Sequence, residues 1–198
     1  MSYGTGSLDW SLPEKEGIEH IKAAYALGIN VSNSPRSADS PSSTSILQTF
    51  DTANTYSRGQ SEIILGKALK EINAPRESFV IMTKLYFPTL ANGEMTWGHL
   101  LSGESPDDYG LVNQYGLSRK NIFDSVKASL KRLDVEYIDV LQCHRFDKNV
   151  EIPEIMKALD DVVKSGMVRY IGMSSCWAWQ FHAMQSRFLF SRSLVLRS

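Results

Sequence analysis

The chain has 198 residues, 42% of them hydrophobic and 22% charged, with a formal net charge of −1. This near-neutral balance fits one globular domain and argues against nucleic acid or an anionic membrane as the main partner, because both select for basic excess. No apolar run approaches the ~18 residues of a membrane span. The N-terminus lacks a basic-then-apolar leader, and two cysteines are too few for a disulfide scaffold, so a cytoplasmic setting is expected.

In chain order, Pro13 to Leu27 predicts the first helix: Pro13 suits the first position, Glu14 and Glu16 favour the positive end of the dipole, and Gly28 follows as a cap. Ile18, Ile21 and Tyr25 form its apolar stripe. A strand should begin at Gly28-Ile29-Asn30 and end at Thr49-Phe50-Asp51. Between its halves lies an insert, residues 31–48, with seven serines and two prolines. So few large apolar groups cannot offset the entropy of ordering, and the insert is expected to be disordered. The next helix spans Ser61 to Asn73, with Leu65, Ala68, Leu69 and Ile72 on one face. Phe79 to Thr83 reads as a buried strand ending at Lys84.

Residues 85–117 form a long loop whose aromatic content favours a packed, functional segment. Ser118 caps a helix to Leu133, with Ile122, Val126, Leu130 and Leu133 inward and Lys131 and Arg132 at its negative end. Tyr137 to Gln142 is a third strand, ending at Cys143-His144. Pro153 opens a helix that Gly166 closes, with Ile155, Leu159, Val162 and Val163 apolar. Val168 to Met173 is a fourth strand, ending at Ser174-Ser175, and a short helix follows from Ala178 to Gln185. From residue 186 the chain has three arginines, four serines and no acid, and reads as an atypical tail, 186–198.

Strands alternating with helices mean βαβ units and a parallel sheet, either open or closed into a (β/α)8 barrel. The glycine fingerprint of a dinucleotide-binding open sheet is missing; Tyr3-Gly4-Thr5-Gly6 lacks the third glycine and a preceding strand. Polar residues instead stand at the C-terminal ends of several strands, where barrels assemble their active sites. Asp51 and Lys84 end neighbouring strands, Tyr56 lies on the loop just past Asp51, and His144 ends the next strand along. An ammonium beside a phenol favours the phenolate, so this set describes a tyrosine able to give and take a proton, with Asp51 holding Lys84 and His144 orienting a carbonyl oxygen. No metal is called for. Taken singly, Asp51 and Lys84 read as a structural ion pair, Tyr56 as a rim aromatic and His144 as a buried histidine; the coincidence of strand-end polar residues at Asp51, Lys84, His144 and Ser174, in order, favours the functional reading. Cys143 reads as core, and His20, His99 and His182 as structural or surface residues.

The motifs FDTANTYS (50–57), SEIILGKALK (61–70), VIMTK (80–84), YIDVLQCHR (137–145) and VRYIGMSS (168–175) resemble the signature of the aldo-keto reductase family. Segment 85–117 resembles its fungal branch, which acts on aryl alcohols, aldehydes and other small carbonyls. The resemblance implies a (β/α)8 barrel that uses NADPH. It also implies Tyr56 as general acid tuned by Lys84 and Asp51, His144 positioning the carbonyl, and Ser174 and Ser175 on the nicotinamide carboxamide. The second of these serines is usually Asn in the family.

The expected fold is therefore α/β, a partial barrel corresponding to the N-terminal half of an aldo-keto reductase, over residues 1–185 and interrupted by 31–48. A first strand would end near Met1-Ser2-Tyr3-Gly4. Without insert and tail 167 residues remain, against about 250 for a whole barrel. The insert begins with Val and ends with Gln, as a translated intron would, which predicts a truncated or mis-spliced product. Two rivals follow: an inactive fragment serving as a binding module through its open apolar surface, and a metal-dependent hydrolase using Asp51, His144 and Asp147, which the lack of paired histidines disfavours.

Overall fold

A computed structural model describes residues 3–4, 11–28, 48–91 and 93–195, with 187–195 as helix backbone only. Most of the serine-rich insert and the first half of the split strand lie outside the described residues. The elements are α1 (Glu14–Ala26), β1 (Gln48–Asp51), α2 (Gln60–Ile72), β2 (Phe79–Leu85), α3 (Trp97–Ser102), α4 (Arg119–Leu133), β3 (Ile138–Cys143), α5 (Ile152–Lys164), β4 (Val168–Met173) and α6 (Ala178–Val195).

The four strands make one parallel sheet in the order β1-β2-β3-β4, each paired with its successor. Sequential order without a reversal is the winding of a barrel wall; a doubly wound sheet would switch direction. One sheet face carries Phe50, Ile81, Leu85, Leu141 and Cys143, all buried in a single core with the apolar stripes of α1, α2, α4 and α5. On the other face Val80, Met82, Val140 and Gln142 are half-buried, and Tyr170 is 71% exposed.

Helix α2 approaches α4 closely at Gly66, where an added Cβ would meet the Leu133 carbonyl oxygen at 2.3 Å. Helix α4 starts as its sequence directs, with the Ser118 hydroxyl accepting from the Asn121 amide.

Two expectations are corrected, at Gln48 and at the last helix. Gln48 is the first residue of β1 and not the end of an insert: its buried amide donates to the carbonyls of Ala24 and Tyr25, closing α1 onto the sheet. Among the described residues Tyr3 pairs with Leu12 in an isolated bridge, and Met1 and Ser2 of the expected first strand lie outside the described residues. The last helix continues past Gln185 to Val195, through most of the expected tail.

The 85–117 segment is packed, as its aromatic content implied. It holds α3 and a small core of Leu90, Met95 and Leu111. Its far end is pinned by the buried Asp147 carboxylate, which accepts from the amides of Leu117 (2.7 Å) and Asn149 (2.9 Å).

Candidate active site

All four candidate residues meet at the C-terminal rim of the sheet. Lys84, 7% exposed at the end of β2, donates to Asp51 Oδ1 at 2.8 Å and to the Thr52 carbonyl at 2.9 Å. A buried ammonium must be paired, and these two acceptors meet that demand. Asp51 also accepts from Gln142 Nε2 at 3.2 Å, so β1, β2 and β3 are joined at one carboxylate. Tyr56 stands on the turn after β1, its ring centre 5.1 Å from Lys84 Nζ.

The His144 ring meets Tyr56 edge-on at 5.7 Å and Phe87 at 5.4 Å, and Phe87 in turn meets Trp97 at 5.1 Å. Loop 85–117 therefore supplies an aromatic wall beside the histidine. Asn54 fixes that wall by donating to the Phe87 carbonyl at 2.9 Å. Burial first, then the Lys84 and Arg145 charges, pushes the His144 pKa down to about 4, so the imidazole is neutral near pH 7. Its Nδ1 is buried with no hydrogen-bond partner. A buried N–H without an acceptor costs more than a bare ring nitrogen, which favours the proton on Nε2.

The pH consequence has a definite sign. Between about pH 6.5 and 4 the unfolded chain protonates this histidine and the native state does not, so the stability it contributes above pH 6.5 is lost as pH falls toward 4. Histidine proton NMR across that range should show one imidazole titrating near 4. A His144 resonance titrating near the ordinary 6.5 would contradict the buried, neutral assignment.

Ser174 and Ser175 sit at the same rim one strand further on. The Ser174 amide donates to the Cys143 carbonyl at 2.9 Å, and the two hydroxyls lie 3.2 Å apart. No hydrogen bond or ring contact between described residues joins them to the other four. Sequence reasoning missed Gln142, Phe87 and Trp97. Gln142 was accessible from strand alternation, since it lies two residues before His144 on the same face. Asp147, the third ligand of the hydrolase reading, is committed to backbone amides. Cys143 is buried and its thiol is pushed up to about 12, as core.

Residues 1–193 match the model of the Aldo/keto reductase family. The chain belongs to this family. An aldo-keto reductase of Fusarium vanettenii is 45% identical over 186 residues, covering 90% of this chain and 44% of the relative. Versiconal hemiacetal acetate reductase of Aspergillus parasiticus is 42% identical, covering 94% and 48%. A Schizosaccharomyces pombe protein assigned by name to the aryl-alcohol dehydrogenases is 44% identical, covering 94% and 49%.

Among solved structures, a thermostable aldo-keto reductase bound to the inhibitor epalrestat superposes with a TM-score of 0.63 at 24% identity, over 93% of this chain and 50% of that one. The chain thus spans about half the length of these relatives, and its sheet is an α/β partial barrel of the aldo-keto reductase fold. Aldo-keto reductases are oxidoreductases of small carbonyl and alcohol compounds that use nicotinamide cofactors. No helix among the described residues is long and apolar enough to cross a membrane.

The rim suits the nicotinamide end of such a cofactor. A carboxamide needs one acceptor and one donor, and two neighbouring serine hydroxyls offer both. Gly172 lies between Tyr170 and Ser174 on the same face, and Gln142 packs over it, its Cγ 3.3 Å from where a Cβ would stand.

Proposed function

We propose that this chain carries the proton-donating site of an NADPH-dependent carbonyl reductase, acting on aldehydes and ketones and, in reverse, on the corresponding alcohols. The observation that carries the reading is the Lys84–Asp51 ion pair, its ammonium buried and 5.1 Å from the Tyr56 ring centre, with a neutral His144 edge-on to the same ring. A carbonyl oxygen at the mouth takes its proton from the Tyr56 hydroxyl. The Lys84 ammonium stabilises the phenolate left behind, and Asp51, itself held by Gln142, fixes the ammonium in place. His144 Nε2–H orients the carbonyl oxygen. Phe87 and Trp97 shield the site from water and present flat apolar surface, which favours aryl substrates. A reduced nicotinamide, when bound, supplies the reducing electron pair, and Ser174 and Ser175 hold its carboxamide. NADPH is the form the family resemblance implies. The two free thiols agree with a reducing, cytoplasmic compartment.

Titrating the full chain into NADPH and, separately, NADH tests the cofactor part. The expected result is saturable enhancement of nicotinamide fluorescence, tighter for NADPH and weakened by Ser174→Ala. Equal affinity for both forms would overturn the NADPH preference; no binding of either would overturn the assignment of a cofactor site to this chain.

A further inference from the structure

Glu62 is a carboxylate with no solvent exposure, in the first turn of α2, and the proton-transfer chemistry does not use it. Its two oxygens face different elements. Oε1 accepts from the Thr83 hydroxyl on β2 at 2.6 Å, and Oε2 accepts from Arg132 Nε near the end of α4, also at 2.6 Å. Arg132 also donates to Ser129 Oγ at 3.2 Å. Next to Glu62, the Ser61 hydroxyl meets the Thr52 hydroxyl at 2.8 Å, with both residues buried.

The sequence positions of these partners carry the argument. Thr52 follows Asp51, and Thr83 precedes Lys84. The first turn of α2 is therefore tied to the neighbours of both members of the ion pair. The same turn directly follows Tyr56, through three successive left-handed residues: Ser57 (φ 47°), Arg58 (φ 58°) and Gly59 (φ 86°). For serine and arginine that backbone is costly and persists only where the surroundings over-determine it. Arg132 is part of those surroundings, since its Cδ lies 3.0 Å from where a Gly59 Cβ would stand.

We propose that Glu62, through Arg132 and Thr83, is a positioning residue that holds the strained Tyr56 turn in register with Lys84. A buried ion pair is weak evidence for stability, because apolar replacements of similar volume are often as stable. What it supplies here is a fixed distance between two elements that must meet at one mouth. Misplacement of a reacting group by about 1 Å can cost on the order of 100-fold in rate.

This inference rests on the proposed proton-donating role of Tyr56, so its test has a readout independent of turnover. The full chain is labelled with 13C at tyrosine Cζ, and the Tyr56 resonance is assigned by its loss in Tyr56→Phe. Glu62→Gln keeps an acceptor for Thr83 and removes the charge facing Arg132. The combined variant Glu62→Met, Thr83→Val, Arg132→Met replaces the network with apolar groups, a change that buried ion pairs often tolerate without loss of stability. In both variants the Tyr56 resonance should move while those of Tyr25 and Tyr109 stay. With an aromatic aldehyde, kcat should fall about 10- to 100-fold with KM within about twofold. An unmoved Tyr56 resonance in either folded variant overturns the proposal. So does a combined variant with native stability and native kcat, which would make the network structural only. A wild-type chain that shows no turnover overturns the proton-donor reading, and the resonance comparison still decides the clamp.

Discussion

Tyr56→Phe lowers turnover of an aromatic aldehyde by about 10²–10⁴-fold, the usual contribution of a general acid, while nicotinamide binding is unchanged. The substitution is conservative for packing. The Tyr56 ring contacts the His144 ring and lies 5.1 Å from Lys84 Nζ, and phenylalanine keeps both neighbours. Only the hydroxyl is lost, and with it the proton for the carbonyl oxygen. His144 cannot replace it near pH 7, because its pKa of about 4 leaves it neutral and its one N–H is a hydrogen-bond donor rather than an acid. Steady-state rates and a parallel fluorescence titration separate the two effects. Turnover within threefold of wild type would remove Tyr56 from the role of acid.

Gly66→Ala should be the most damaging small substitution in the fold, costing roughly 3 kcal/mol or more, at the upper end of overpacking effects. The new Cβ would stand 2.3 Å from the Leu133 carbonyl oxygen and 2.8 Å from its carbon. Both are backbone atoms at the end of α4, so no side chain can rotate away. Relief requires α2 to move off α4, and α2 carries Ile64, Leu65, Ala68 and Leu69 into the core. The same movement would loosen the Glu62–Arg132 pair. Urea denaturation followed by circular dichroism reads the cost as a lowered midpoint at unchanged slope. A midpoint equal to that of wild type would show that the helices separate at no cost, contrary to the packing described.

How much of this was legible in the sequence follows from which signals are periodic. Lys84 and His144 could be placed because each follows an apolar run of strand length, and Asp51 because Thr49-Phe50-Asp51 reads as the end of a split strand; parallel strands put such ends at one rim. The helix stripes were legible for the same reason: Ile122 and Val126, or Ile155 and Leu159, repeat at helical spacing and are buried.

Glu62 was not legible. A carboxylate in the first turn of a helix has a sufficient local explanation in the dipole, and its partners Thr83 and Arg132 are 21 and 70 residues away. Arg132 likewise has a sufficient local explanation as a cation at the α4 terminus. Gln48 closes a polar stretch of sequence, and the carbonyls its side chain binds are 23 and 24 residues earlier. Phe87 and Trp97 belong to a segment without periodicity, where turn geometry decides which aromatic reaches His144. In each case the decisive contact is long-range, and no short window of sequence contains it.

The central claim is that Asp51, Tyr56, Lys84 and His144 act as one carbonyl-reducing site. Its most direct test is aldehyde-dependent oxidation of NADPH by the full chain, with the alcohol product quantified. One alcohol should form per NADPH consumed, and Lys84→Met, which removes the ammonium beside Tyr56, should abolish the reaction. NADPH that is bound but not consumed with any aldehyde or ketone, or consumption that Lys84→Met leaves unchanged, would contradict the claim.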